Sequence, residues 1–332
     1  MPNNSRTLLL FAATYLHTSA RNPYGHGALL TMEDNASLDE RLLSERENGA
    51  YQIRESHMSR SMKHPIYYHY FRSPLPYGPT LALQEKIHAL QLANRKSSSP
   101  YKDILLLLQH RPVYTPGRRQ SEDSVKDERL RLTNLGADFI TATRGGLLTY
   151  HGPGQLVGYP LIDLSRFTPT MGVRDYVCRL QKSLEHYLRD IHGIESIPSE
   201  HTGVFLSANA KIASIGVHVR HRLTTHGFAL NVTKEPLPWF EQIVACGLDN
   251  VQATSIETAK GANVSVEEVV GRLVGALGRM YEREMIPLDV SGGESAEEGI
   301  QELEKIARES GTWQRAPSGI GLGQDLSPRF TN

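Results

Sequence analysis

Apolar residues recur along this chain in continuous runs, in alternation and at helical spacing, and each change of rhythm marks a new element. Folded character begins at 66–71, where Ile66-Tyr67-Tyr68-His69-Tyr70-Phe71 supplies the aromatic side chains that strands favour. Pro74, Pro76, Gly78 and Pro79 then break the chain, and Thr80 is placed to cap a helix with the stripe Leu83, Ile87, Leu90. Lys96-Ser97-Ser98-Ser99-Pro100 ends that helix as a loop. Residues 104–108 form a short continuous apolar run, which predicts a strand buried on both faces. Arg111-Pro112-Val113-Tyr114-Thr115-Pro116-Gly117-Arg118-Arg119 predicts a punctuated loop with a basic end. Residues 156–164 predict a further strand, which Pro160 makes an edge strand or a bulged one.

Helical spacing returns over 172–191, with Val173, Val177, Leu180, Leu184, Leu188 and Ile191 on one stripe. Cys178 lies off that stripe and reads as packed or idle. From Gly203 the rhythm turns to β. Residues 203–206 and 212–219 form a hairpin joined by Ser207-Ala208-Asn209-Ala210-Lys211. Ala213, Ile215, Val217 and Val219 share one face, and the same parity puts Lys211 at the rim of that apolar side. Residues 227–232 are a third strand, after which Pro236 and Pro238 carry the chain to Val244-Ala245-Cys246-Gly247-Leu248. Ser265 and Glu268 spell a capping box, with Val264 and Val269 placed for its hydrophobic staple, so a helix opens there with Val266, Val270, Leu273 and Leu277 on its apolar side. Past Pro287 a polar extension follows, with one short helix near 300–306 and a disordered end.

Composition narrows the class. A chain of 332 residues can bury a sizeable core without staples. Formal net charge is zero, which argues against non-specific nucleic-acid binding, since that needs a broad basic surface. The two cysteines, Cys178 and Cys246, make no disulfide framework and suit a reducing compartment. No apolar run approaches the ~20 residues of a membrane-spanning helix. No acidic residue precedes Glu33, while Arg6 and Arg21 flank an apolar stretch mixed with Ser5, Thr7, Thr14, Thr18 and Ser19. That composition predicts a mitochondrial transit peptide over 1–30, a secretory core at 8–16 being the alternative. Residues 31–65 read as a polar linker.

One stretch concentrates special backbone chemistry: Arg144-Gly145-Gly146-Leu147-Leu148-Thr149-Tyr150-His151-Gly152-Pro153-Gly154-Gln155. Glycines at this density suit either structural turns or a loop that lets backbone come close to a ligand. Gly152, Gly154 and Gly158 have the wrong spacing for a dinucleotide fingerprint, and Pro153 and Pro160 forbid the helix that motif opens. No Gly-Lys-Ser/Thr run follows, so a phosphate-cradling loop is excluded. His218 and His221 lack thiolate or carboxylate companions and read as solvated or core histidines, not metal ligands. Cys246, at a turn before Gly247, is either a small buried hydrophobe or a nucleophile whose thiol needs a neighbouring cation or base. Lys211 is a candidate for that base, although nothing in the spacing makes the two meet.

The Arg144 stretch, His201-Thr202-Gly203-Val204-Phe205, Lys211-Ile212-Ala213-Ser214-Ile215-Gly216-Val217, His226-Gly227-Phe228-Ala229-Leu230-Asn231-Val232 and Cys246-Gly247-Leu248 resemble the octanoyltransferases of lipoate synthesis in order and spacing. Pro112-Val113-Tyr114-Thr115 and Gly172-Val173-Arg174-Asp175-Tyr176 match as well, and the resemblance covers about 66–285. Thr143 in place of a common acidic residue, Pro116 before Gly117, and a long loop around Ser97 depart from the pattern. The resemblance implies an α+β domain with a mixed sheet and flanking helices, of the biotin/lipoate protein ligase kind, over 66–287, followed by an extension over 288–332. It implies transfer of octanoyl from octanoyl-acyl carrier protein to a lysine of lipoyl domains, those of 2-oxoacid dehydrogenase complexes and the glycine cleavage H protein, with no cofactor and no metal. Cys246 falls on the family's nucleophile and Lys211 on its activating base. Acyl-binding positions fall on Arg144, Gly145, Gly146, Leu147, Leu148, Thr149, Tyr150 and His151, on Ser214, Ile215 and Gly216, and on Gly227, Phe228 and Ala229. Arg118, Arg119, Arg144, Arg220 and Arg222 are placed to dock an acidic carrier, and a mitochondrial address follows for a eukaryotic member. An ATP-dependent lipoate or biotin ligase and a catalytically silent lipoyl-domain binder are the alternatives; the first would tolerate loss of Cys246, and the second would lack the thiol or the lysine.

Overall fold

A computed structural model describes residues 64–121, 123–248, 250–293, 295–309, 311, 313 and 316–318. The transit peptide expected over 1–30, nearly all of the expected linker and the end of the C-terminal extension lie outside these residues. In chain order the elements are β1 Ile66–Tyr70, α1 Tyr77–Lys96, β2 Asp103–Leu108, β3 Val113–Thr115, α2 Lys126–Asn134, β4 Asp138–Phe139, β5 Thr149–His151 and β6 Gln155–Leu161. They continue with α3 Val173–His192, β7 Val204–Ser207, β8 Ala210–Arg220, β9 Leu223–Asn231, α4 Leu237–Phe240 and β10 Gln252–Ala253. The last are α5 Ile256–Lys260, α6 Val266–Tyr281, β11 Met285–Pro287 and α7 Ser295–Glu309.

The main sheet runs β10-β8-β9-β6-β2-β1-β11, with β7 paired to β8, and a smaller sheet runs β4-β3-β5. Pairing is mixed, as expected: β1 is parallel to β2, whereas β2, β6, β9 and β8 pair antiparallel in turn. Alternation sorts β2 between two cores. Leu105 and Leu107 pack with α3 and α6, and Ile104, Leu106 and Leu108 pack with α1 and α7 on the other face. Helices therefore cover both faces, which is why β2 reads as an unbroken apolar run.

Several local readings hold and several shift. Ser265 and Glu268 make both bonds of the capping box, and Val264 and Val269 sit in one cluster. Thr80 does not cap its helix: α1 starts earlier, after Pro76, and Thr80 is buried with its hydroxyl donating to the Pro76 carbonyl at 2.7 Å. The loop read over 111–119 contains β3, held between β4 and β5. Pro160 lies in an inner strand. Ladder pairs between β6 and β9 end at Gly158, and the Thr224 hydroxyl then donates to the Pro160 carbonyl at 2.6 Å. Val173, counted on the apolar stripe, is 49% exposed. In the extension, α7 is longer than expected, and its Ile300, Leu303 and Ala307 complete the core with Leu83 and Ile87 of α1.

Candidate active site

The loop from Arg144 is held to its neighbours from two sides. Gly145 donates to the Val217 carbonyl at 3.2 Å, laying the loop along the edge of β8. On the other side a β-carbon at Gly117 would stand 2.3 Å from the Gly146 carbonyl oxygen, so the two loops approach as only glycine permits. Arg144 is buried and spends its guanidinium internally, on the carbonyls of Gly145 at 3.0 Å and Leu147 at 3.1 Å and on the Thr115 hydroxyl at 2.9 Å. It lines the cavity as a clamp on its own loop and is not available to dock a carrier. Arg220 pairs with Glu85, while Arg118, Arg119 and Arg222 are exposed.

Beyond the clamp, alternation along β5 divides the expected acyl-binding positions. Thr149 and His151 line a cavity of about 470 Å³, with Gly145, Gly146 and Leu147 beside them. Leu148 and Tyr150, expected on the same wall, point the other way, because successive strand residues face opposite sides. They belong to a separate core, where Tyr150 stacks on Trp239 with ring centroids 5.3 Å apart. From the hairpin, Ser214, Ile215 and Gly216 of β8 and Gly227, Phe228 and Ala229 of β9 all line the cavity. Tyr77 at the start of α1, Val157 and Tyr159 of β6, and His226 also line it, although none was given an acyl-binding role from the sequence. For Val157 and Tyr159 the signal was available, since a period of two along β6 puts both on one face.

Lys211 lies inside, not at a rim. It is 7% exposed, lines the cavity, donates from Nζ to the Thr202 carbonyl at 3.1 Å, and stands 5.1 Å from the Phe205 ring centroid. No carboxylate pairs with it among the described residues. Gly203, at φ 132°, packs under it: a β-carbon there would be 2.6 Å from Lys211 Cε. Backbone pairing links this lysine to the segment that follows the other candidate. Cys246 is the middle residue of a turn, Ala245–Gly247, and six residues later β10 pairs parallel with Ala210 and Lys211. Thr254 donates its amide to the Lys211 carbonyl at 2.9 Å. The turn also abuts the glycine-rich loop. Gly247 has φ 70°, a β-carbon there would lie 2.6 Å from Leu147 Cδ1, and Leu248 lines the cavity. Cys178, by contrast, is exposed on α3.

Neutral histidines gather in the cavity wall and just behind it, where the His110 ring lies 5.8 Å from that of the cavity-lining His151. His110 is bonded through Nε2 to the Tyr159 hydroxyl at 2.7 Å, and burial lowers its pKa to about 4. His226 meets the Thr143 hydroxyl at 3.0 Å, and burial followed by the Arg144 charge lowers its pKa to about 3. His151 meets Gln155 at 2.8 Å, and burial, then His110 and Arg144, hold its pKa well below the usual imidazole value. A cavity with apolar walls, a buried amine and uncharged imidazoles suits an acyl ester or thioester better than a phosphate or a metal ion.

Comparison with known proteins agrees with this chemistry. Residues 76–278 match the lipoyl protein ligase A/B catalytic domain. Over 207 residues, or 62% of this chain, the sequence is 38% identical to a protein of Caldicellulosiruptor saccharolyticus named octanoyltransferase, 84% of which is covered. It is equally 38% identical over 62% of its length to a Danio rerio protein named octanoyl-[acyl-carrier-protein]:protein N-octanoyltransferase LIPT2, mitochondrial, of which 88% is covered. Among solved structures, a T. acidophilum protein with bound lipoic acid superposes with a TM-score of 0.51 over 75% of this chain and 94% of that one, at 18% identity. At that identity the likeness speaks for the fold alone.

Proposed function

Because the chain belongs to the lipoyl protein ligase A/B catalytic domain family and is an acyltransferase of the octanoyltransferase kind, we propose that it carries octanoyl from acyl carrier protein to a lysine of lipoyl domains through a thioester on Cys246. The observation that carries this reading is Lys211: a buried amine on the cavity wall, paired with no carboxylate among the described residues, on the strand that pairs with the segment following the Cys246 turn. Lys211 is assigned as the base for Cys246, since the thiolate and not the thiol is the nucleophile.

In the first step Lys211 takes the Cys246 proton and the thiolate attacks the thioester carbonyl carbon. The new carbon–sulfur bond replaces the one to the carrier, whose thiolate leaves with the proton returned by Lys211. In the second step the acceptor lysine attacks the acyl-enzyme, its proton passes through Lys211 to the departing Cys246 sulfur, and an amide is formed. No redox change occurs and no nucleotide is consumed. Thioester exchange is nearly balanced, so the work of the protein is to supply a reactive thiolate and donors for the oxyanion. Burying the acyl chain against Val157, Ile215, Val217 and Phe228 contributes ~0.8 kcal/mol per methylene. The acceptors proposed are the lipoyl domains of 2-oxoacid dehydrogenase complexes and the glycine cleavage H protein. Mitochondrial localisation, directed by residues 1–30, is proposed from the acid-free start and the mitochondrial name of the Danio rerio relative.

Intact-mass measurement after mixing with octanoyl carrier protein, without ATP, tests the covalent step. An octanoyl adduct should appear on wild type, be absent from Cys246→Ser, and be removed by hydroxylamine. An adduct equally present on Cys246→Ser and stable to hydroxylamine would overturn the mechanism. Lys211→Met should keep the fold and lose most of the transfer rate; near wild-type transfer would refute the base.

A further inference from the structure

Beneath the cavity, a directional chain of hydrogen bonds determines the state of one further side chain. Asn231 donates through Nδ2 to the Thr254 carbonyl at 2.9 Å, so its oxygen faces Gln155. Gln155 donates through Nε2 to that oxygen at 2.9 Å and to the Tyr150 carbonyl at 3.4 Å. Backbone carbonyls only accept, so both amides have one possible orientation. Gln155 is left to present Oε1 to His151 Nδ1 at 2.8 Å. An amide oxygen also only accepts, and the proton of a neutral imidazole must therefore sit on Nδ1, leaving Nε2 as a bare acceptor. Asn231, Gln155 and His151 are buried, and no group of the described residues bonds Nε2 of the cavity-lining His151.

We infer that His151 is the cavity's fixed hydrogen-bond acceptor, receiving an N–H of the attacking lysine amine during transfer out of the acyl-enzyme. This rests on the two-step transfer proposed above. An octanoyl thioester carries no donor on its chain or carbonyl, so the bare nitrogen has nothing to bind there. The attacking amine has N–H bonds to spare and must aim its lone pair at the acyl carbon. A second acceptor besides Lys211 on the cavity wall orients it, while Lys211 moves the proton. The loop that runs into β5, the strand carrying His151, also abuts the Cys246 turn through Leu147. His110, Arg144 and His226 face the imidazole and, with burial, oppose a second proton on it.

Two measurements test this. In histidine-selective nitrogen-15 NMR of the whole protein, with His151 assigned from His151→Gln, the resonance should report protonated Nδ1 and unprotonated Nε2. A protonated Nε2 overturns the inference. Single-turnover rates then separate the steps. In His151→Ala, aminolysis of the isolated acyl-enzyme by a lipoyl domain should fall by about 10-fold more than acylation by octanoyl carrier protein does. His151→Gln, assayed in parallel, guards against a folding defect of the alanine variant. Equal loss in both steps means that His151 only shapes the cavity, and loss confined to acylation assigns the acceptor to an amide of the carrier's arm; either result overturns the assignment. Wild type that never acylates would instead refute the acyl-enzyme itself, and the role of His151 with it.

Discussion

Gly203→Ala should damage the candidate base without replacing a cavity-lining residue. Gly203 has φ 132°, and a β-carbon would lie 2.6 Å from the Ala213 carbonyl oxygen, 2.6 Å from Lys211 Cε and 3.1 Å from Nζ. The Ala213 oxygen belongs to β8, which is laddered to β7 and β9, so the Gly203 backbone must shift away from it, and the flexible end of Lys211 gives way as well. Moving it breaks the 3.1 Å bond to the Thr202 carbonyl. The backbone conformation alone costs an alanine about 1–3 kcal/mol, and a lost bond from a charged donor adds about 1.5–3 kcal/mol where the lysine is protonated. We expect the urea midpoint to fall by the equivalent of about 2.5–6 kcal/mol. A displacement of about 1 Å in a catalytic group costs on the order of 100-fold in rate, so single-turnover acylation at a temperature where the variant stays folded should fall by about that factor. A variant with an unchanged midpoint, or with acylation within about two-fold of wild type, would show that Gly203 does not set the position of Lys211.

Three further outcomes are expected. Tyr150→Ala should cost about 3–5 kcal/mol, because the ring fills the core beside Trp239; Tyr150→Phe should change little, since its hydroxyl has no partner among the described residues. A Tyr150→Ala enzyme of normal stability and weakened acyl binding would restore that residue to the acyl wall. Ile300→Ala should cost about 2–4 kcal/mol, measured by denaturant unfolding, because α7 buries that side chain against α1; an unaffected midpoint would make α7 dispensable. Acid should weaken the fold before carboxylates titrate. His110 and His226 have folded pKa values of about 4 and about 3, below an unfolded value near 6.5, so the unfolded chain takes up protons first. Their contribution is fully present above about pH 6.5 and falls by about 1.4 kcal/mol per pH unit for each imidazole as the pH drops toward 4. Equal stability at pH 7 and pH 5 would contradict this.

Local rules made much of the fold readable. The capping box at Ser265 and the helical stripe over 172–191 involve neighbours within a turn or two, so the sequence itself contains their cause. Pro160 misled because a proline at mid-strand needs a partner for the interrupted ladder, and that partner, Thr224, lies 64 residues away. Thr80 misled for a related reason: the hydroxyl that would cap a helix is equally satisfied one turn inside it, by bonding the Pro76 carbonyl. The length of α7 was hidden because a polar sequence with a narrow apolar stripe gains its stability from the surface it covers, here α1.

The glycine-rich stretch combines legible and hidden features in one loop. Once β5 is known to be a strand, period two assigns Thr149 and His151 to the cavity and Leu148 and Tyr150 to the core, so these four needed only the correct element. Arg144 could not be read this way. A lone arginine beside glycines suggests a contact with an anion, yet its guanidinium holds Gly145, Leu147 and Thr115 together. That clamp, the contact of Gly117 with Gly146 and the bond from Gly145 to Val217 fasten one wall of the cavity to the β3 region on one side and to β8 on the other. A wall fastened on both sides is preformed. An acyl chain entering it need not order the loop, so less of its burial energy is spent on closure and more remains to hold the thioester carbon against the nucleophile.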